Sequence, residues 1–251
     1  MPFLRRHAPA VLAHLGVLAL WAWATTYGGV PRFIFPGPLE TLRAIRAPQI
    51  DWPTHIAVTA AEAFGGFALA VVIGVTLAVL FTWSAPLRRA LMPLLVTLNL
   101  IPKVALAPLF IVWLGYGIVP NIAITFVIAF FPIVITTARG LAEVEPELLD
   151  LVRVVRATRW QVFRKIQLPS ALPFLFSGMR VAAILAIAGT VVGEFVGSEA
   201  GLGFVIMAAQ GTLDTPVMVM ALILITLVGV ALYGLVVLLE RLVVTEDARV
   251  R

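Results

Sequence analysis

Six apolar stretches of roughly 20 residues, separated by short basic segments, leave this chain one place to fold, a lipid bilayer. A helix rises 1.5 Å per residue, so about 20 apolar residues cover the ~30 Å hydrocarbon core. The stretches run near residues 8–27, 56–83, 91–115, 118–138, 171–197 and 217–240. Of the 251 residues 61% are hydrophobic and 12% charged, whereas soluble domains run near 45–50% and about 25%. The expected fold class is therefore all-α, a polytopic membrane protein with six transmembrane helices and a single domain over residues 1–251.

The chain has no cysteine, which excludes disulfides, thiolate metal sites and cysteine nucleophiles. A net charge of +5 would suggest a nucleic-acid partner in a soluble protein. Here the basic residues sort by side instead. With the N-terminus inside, thirteen of the 18 Lys and Arg fall in cytoplasmic segments. Arg32, Arg43 and Arg46 lie in outer loops, and Lys103 and Arg180 lie within spans. That bias predicts both termini in the cytoplasm and no role for nucleic acid. The first span carries Ala22-Trp23-Ala24, which resembles a signal-peptide cleavage site. Its length, and the aromatic belt of Trp21, Trp23 and Tyr27, favour a retained anchor.

The outer loop 28–55 reads as irregular around one short helix, with Pro38 in its first turn and Leu39, Leu42 and Ile45 on one face. That helix is expected to lie along the membrane surface. Small residues recur at spacing four, as Gly66, Ala70, Gly74 and Ala78 in the second span and Gly189, Gly193 and Gly197 in the fifth. Such ridges let helix backbones approach closely in lipid.

The segment 139–170 concentrates charge on the cytoplasmic side. Pro146 suits a first helical position, after which Leu148, Leu151, Val152 and Val155 form an apolar stripe and Glu147, Asp150, Arg153 and Arg156 line another face. Thr158 and Gln161 have capping-box spacing for a second short helix, along which Trp160, Phe163 and Ile166 point one way. Pro169 is expected to end that helix. The apolar stripe has nothing in the chain to pack against, so a cytoplasmic partner is expected.

Polar residues within the spans are functional candidates by default. Lys103 lies ~18 Å into the third span. Pro102 cannot donate a helical hydrogen bond and should free the Leu98 carbonyl, and Asn99 sits one turn before Lys103. A broken helix with polar groups at mid-depth suits a substrate path; the other reading is a structural or snorkelling Lys. Arg180 and Glu194 are ~21 Å apart on one helix and cannot pair with each other. Glu62 could pair with a Lys or Arg of another helix, and for Arg180, Glu194 and Glu62 alike a structural ion pair or inter-helix hydrogen bond is the favoured reading over solute contact. No phosphate-binding loop occurs, Gly201-Leu202-Gly203 reads as a tight turn, and His7, His14 and His55 lack metal-ligand spacing. No Ser/His/Asp set is recognisable.

The loop resembles the "EAA" loop of permease subunits of bacterial ABC importers, whose pattern is Glu-Ala-Ala, three residues, Gly, nine residues, Ile-x-Leu-Pro. Ile166-Gln167-Leu168-Pro169 matches its end, Asp150-Leu151-Val152 falls on the triplet, and Arg156 falls on the glycine. "IPKVALAPLFIVWLGYG" (101–117), "SGMRVA" (177–182), Glu194 and "GSEAGLG" (197–203) resemble the nitrate, sulfonate, taurine and pyrimidine-precursor branch. The resemblance implies the type I ABC importer permease fold in the bacterial inner membrane. It implies a path for a small solute such as a sulfonate, nitrate, taurine or a pyrimidine. It also implies three partners: a cytoplasmic ATPase subunit, a second permease copy and an extracytoplasmic binding protein. ATP and Mg would be held by the ATPase, with no cofactor on this chain and no enzymatic activity of its own. Residues 139–170 become the coupling loop, with Glu147, Asp150, Leu151, Val154, Arg156, Thr158 and Arg159 facing the ATPase. Asn99, Lys103, Arg180 and Glu194 are the candidates for the translocation path. The rival readings are a stand-alone ion-coupled carrier, with Lys103 and Glu62 as coupling residues, and an integral membrane enzyme.

Overall fold

A computed structural model describes residues 2–29, 31, 33–144, 148, 152, 154 and 156–244, and these form helices and their connections with no strand among them. Helix α1 (Pro2–Tyr27) is followed by the short α2 (Pro38–Ala44) and the long α3 (Trp52–Trp83). Then come α4 (Ala85–Asn99), a 3-10 turn (Lys103–Leu106), α5 (Ala107–Leu114) and α6 (Ile118–Ala142). The last third holds α7 (Arg159–Gly197), α8 (Leu202–Gly211) and α9 (Thr215–Val243).

Four of these, α3, α6, α7 and α9, are long and apolar enough to cross a membrane. The stretch 91–115, expected as one span, is a bent pair: α4 and the segment Lys103–Leu114 meet at 88°. Pro102 has no N–H to continue α4, and Pro108 in the first turn of α5 restarts the helix in a new direction. The expected six spans thus become four long helices, one bent pair and the shorter apolar helix Val11–Tyr27 within α1.

The α3, α6 and α7 helices form the centre of the bundle. The small-residue ridges lie where expected: Gly66, Ala70, Gly74 and Ala78 are buried, as are Gly189, Gly193 and Gly197. A Cβ on Gly66 would come within 2.5 Å of the Thr125 side chain and 2.9 Å of the Ile122 carbonyl. Only glycine therefore permits this approach of α3 to α6. A second apolar cluster joins Trp52 of α3, Leu202 and Val205 of α8, and Met220 and Leu224 of α9. Helix α2 starts at Pro38 as expected and leaves Leu39, Leu42 and Ile45 exposed on its outer side.

Pro169 does not end the helix. A π-helical turn over Phe163–Gln167 precedes it, with the Leu168 N–H donating to the Phe163 carbonyl five residues back. Pro169 then falls in the first turn of the resumed α-helix, where a missing N–H costs nothing. Trp160 stacks on Phe163 at 5.7 Å between ring centroids, and both rings meet Trp83 of α3 edge-on. Ile166 is half-buried beside them.

Candidate functional site

Three polar constellations stand out from the apolar bundle. The first sits at the break between α4 and α5. The Lys103 Nζ donates to Asn99 Oδ1 at 2.8 Å and to the Asn99 carbonyl at 3.0 Å, and lies 4.9 Å from the centroid of the Phe131 ring. The ammonium thus caps the carbonyl end of α4, where the helix dipole is negative. Leu98 does not keep a free carbonyl as expected, because the Ile101 N–H bonds it at 3.2 Å. Lys103 is half-buried, and Leu98, Leu100, Ile101 and Val104 around it are exposed. The result is a fixed positive charge with donor capacity left over, on an open apolar face and beside an aromatic ring. It can attract and orient an anion or an acceptor-rich solute.

The second constellation caps α8 from other helices. Gly201, at φ 111°, supplies no side-chain cap, so the N–H groups at the start of α8 need acceptors from elsewhere. His55 Nδ1 accepts from Gly201 N–H at 3.0 Å, and Thr59 Oγ1 accepts from Leu202 N–H at 2.8 Å. Glu194 Oε2 accepts from Gly203 N–H, and Thr59 in turn donates to Glu194 Oε1 at 2.6 Å. Glu194 is only 2% exposed. Its burial is offset by these donors and by the positive end of α8. The Gly-Leu-Gly stretch, expected as a tight turn alone, is a turn that also opens this helix. A Cβ on Gly203 would come 2.7 Å from Glu194 Oε2.

Among the described residues Glu62 pairs with no Lys or Arg and makes the inter-helix hydrogen bond that was the other expectation. Its Oε1 accepts from Asn121 Nδ2 at 2.9 Å, one helix away on α6. Arg180 forms its ion pair with Glu240 of α9. Arg180 and Glu194, path candidates for which a structural bond between helices was the favoured expectation, are each engaged by a partner within the chain. Among the described residues no His/Cys/Asp/Glu group is arranged to hold a metal ion.

The third constellation is the turn that precedes α7. Arg156 has φ 51°, the left-handed conformation of the glycine it replaces in the resembled pattern. Ala157 N–H reaches back to the Val152 carbonyl at 3.0 Å, a Schellman closure around Arg156. The capping box follows as expected, with Thr158 N–H donating to Gln161 Oε1 at 2.8 Å and Gln161 N–H to Thr158 Oγ1 at 3.3 Å. Val154 is 80% exposed, Leu148 and Val152 are half-buried, and Arg159 is exposed. Glu147, Asp150 and Leu151 lie outside the described residues.

Sequence reasoning missed His55, Thr59, Asn121, Phe131 and Glu240 as partners. A signal existed for three of the acceptors: His55, Thr59 and Glu62 fall at i, i+4 and i+7, a polar stripe along an otherwise apolar helix.

Residues 70–245 match the family described as the inner membrane component of binding-protein-dependent transport systems. The riboflavin transport system permease protein of Chloroflexus aurantiacus is 39% identical over 92% of this chain and 87% of its own length. The formylaminopyrimidine transport permease protein of Halalkalibacterium halodurans is 32% identical over 92% of each. Among solved structures, an inward-facing conformation of the MetNI methionine ABC transporter superposes with a TM-score of 0.64. It is 25% identical, over 76% of this chain and 95% of that one.

Proposed function

The chain belongs to the family of inner membrane components of binding-protein-dependent transport systems, and on that premise we propose that two copies of it enclose the path of a small solute. It is a multi-pass permease of an ABC importer and not an enzyme; ATP hydrolysis belongs to a separate subunit. Family membership sets aside the stand-alone carrier and the membrane enzyme.

An extracytoplasmic binding protein delivers the solute, and ATP with Mg is held by the partner ATPase. The charge bias of thirteen basic residues against three supports cytoplasmic termini. Lys103 and Asn99 line the path, with Phe131 behind them, while the Arg180–Glu240 and Glu194–Thr59 contacts brace its walls. Two relatives are named for riboflavin and formylaminopyrimidine. Both are planar heteroaromatics rich in acceptors, a chemistry that an ammonium and a ring face suit. We therefore favour a small heterocycle over sulfonate, nitrate or taurine.

The observation that carries the coupling role is the capped turn at Arg156–Gln161, which presents Val154 and Arg159 outward. Residues 147–159 seat in the ATPase subunit and pass its motion through the π-turn into α7. Cysteines placed singly at Val154 and Arg159 should crosslink to the copurified ATPase. Crosslinks confined to lipid or to this chain would overturn the assignment.

Arg156 supplies a sharper check. A left-handed non-glycine residue costs roughly 1–2 kcal/mol. Arg156→Gly should therefore stabilise the loop by about 1 kcal/mol, read as slower amide exchange at Ala157, with ATPase activity still tied to transport. Hydrolysis uncoupled from transport in this variant, with partial recovery in Arg156→Lys, would instead make the guanidinium a contact to the ATPase.

A further inference from the structure

At the end of the bundle that carries the coupling loop, a cavity of about 420 Å³ opens between the α3–α4 corner, the end of α6 and Gln167. Phe81, Ala138 and Leu141 form its apolar floor, and Arg88 and Arg89 stand over it. Arg88 has no hydrogen-bond or ion-pair partner among the described residues, and Arg89 only a 3.4 Å bond from its Nε to the Ala85 carbonyl. Glu143, the described acid closest in sequence to the end of α6, is engaged by Arg139.

Both arginines also lie in the first turns of α4, whose start is fixed by Ser84 accepting from Leu87 N–H. Cations at the positive end of a helix are misplaced unless an anion joins them. Two guanidinia and the Gln167 amide line one concave space, a donor set suited to phosphate oxygens.

We propose that this cavity binds a phosphate group, and that its bearer is an anionic phospholipid of the adjoining leaflet. The depth favours a lipid. Trp83, next to the corner, is 50% exposed and meets Trp160, itself 57% exposed, at 6.2 Å. Exposed tryptophans of this kind mark the headgroup level of a bilayer. The floor of Phe81, Ala138 and Leu141 gives the first carbons of a lipid an apolar surface, which free phosphate cannot use. Basic pockets at this level are suited to lipid headgroups.

Free phosphate shares the oxygen chemistry, so the test has two arms. The permease with its ATPase subunit is placed in nanodiscs of equal phosphatidylglycerol and phosphatidylcholine, then released for native mass spectrometry. The wild-type complex should retain phosphatidylglycerol selectively, and R88Q/R89Q should lose that selectivity about tenfold. R43Q/R46Q, which removes the same charge from the outer loop, should retain it. The second arm measures thermal protection of the lipid-free complex by inorganic phosphate. Protection that depends on Arg88 and Arg89, without lipid selectivity, would keep the phosphate site and change its bearer. Lipid retention and phosphate protection both indifferent to Arg88 and Arg89 would overturn the proposal. If R88Q/R89Q fails to assemble, R88Q alone gives the same readouts.

Discussion

Replacing Glu194 with leucine should unseat helix α8 and cost the permease about 2–6 kcal/mol, the sum of two buried donors left without an acceptor at about 1–3 kcal/mol each. Gly203 N–H and the Thr59 hydroxyl both donate to this carboxylate. Glu194→Gln should cost less. Its carbonyl can accept from one donor, but its amide NH2 then faces the other. Thr59 cannot simply turn away, because its oxygen already accepts from Leu202 N–H. Thermal unfolding of the purified permease ranks the three proteins, and amide exchange at Gly203 locates the change. An E194L protein as stable as the wild type, with Gly203 still protected, would sink this account of how α8 is held.

Lys103→Met should reduce transport about tenfold to a hundredfold while the permease still assembles with its ATPase. The estimate follows from one hydrogen bond to a charged group, roughly 1.5–3 kcal/mol, lost between protein and solute. Methionine keeps a flexible apolar side chain of nearly the same length, and its sulfur can replace the ammonium's contact with the Phe131 ring by a sulfur–aromatic one. Asn99→Leu should act in the same direction and less strongly, since the ammonium would keep its bond to the Asn99 backbone carbonyl. Substrate-stimulated ATPase activity and uptake are measured together in proteoliposomes. Loss of the assembled complex in K103M would make Lys103 a brace at the α4–α5 break and remove it from the path.

The parts of the fold legible in the sequence are those set by local chemistry. Gly66 and Gly193 announce close helix contacts because any larger residue would be excluded. Thr158 and Gln161 announce a capped helix because their spacing fits only that geometry. Arg156 takes up the left-handed turn because the Schellman closure demands it of whatever residue stands there. What stayed hidden depends on direction and on distant partners. Hydropathy sums along residues 91–115 identically for a straight span and for two helices at 88°. Proline rules located the trouble at Pro102 and Pro169 but not its resolution, a sharp bend in one case and a π-turn in the other. Glu62 was expected to find an ion pair or a hydrogen bond on another helix and takes one hydrogen bond from Asn121, yet nothing in either residue's neighbourhood along the chain points to the other.

Two of the bonds that cap α8 join residues 143 and 146 positions apart, and the Thr59–Glu194 bond behind them spans 135. Chains fold from the N-terminus as they leave the ribosome. His55 and Thr59 therefore enter the bilayer long before the N–H groups they accept from have been synthesised. This end of the bundle can close only after residues 201–203 arrive, whereas the α3–α6 contact at Gly66 can form as soon as α6 emerges. Until then His55 and Thr59 lack the Gly201 and Leu202 donors, and Thr59 its Glu194 acceptor, a deficit confined to incomplete chains. Nascent permeases thus carry a built-in signature of unfinished synthesis, erased by the arrival of three backbone amides.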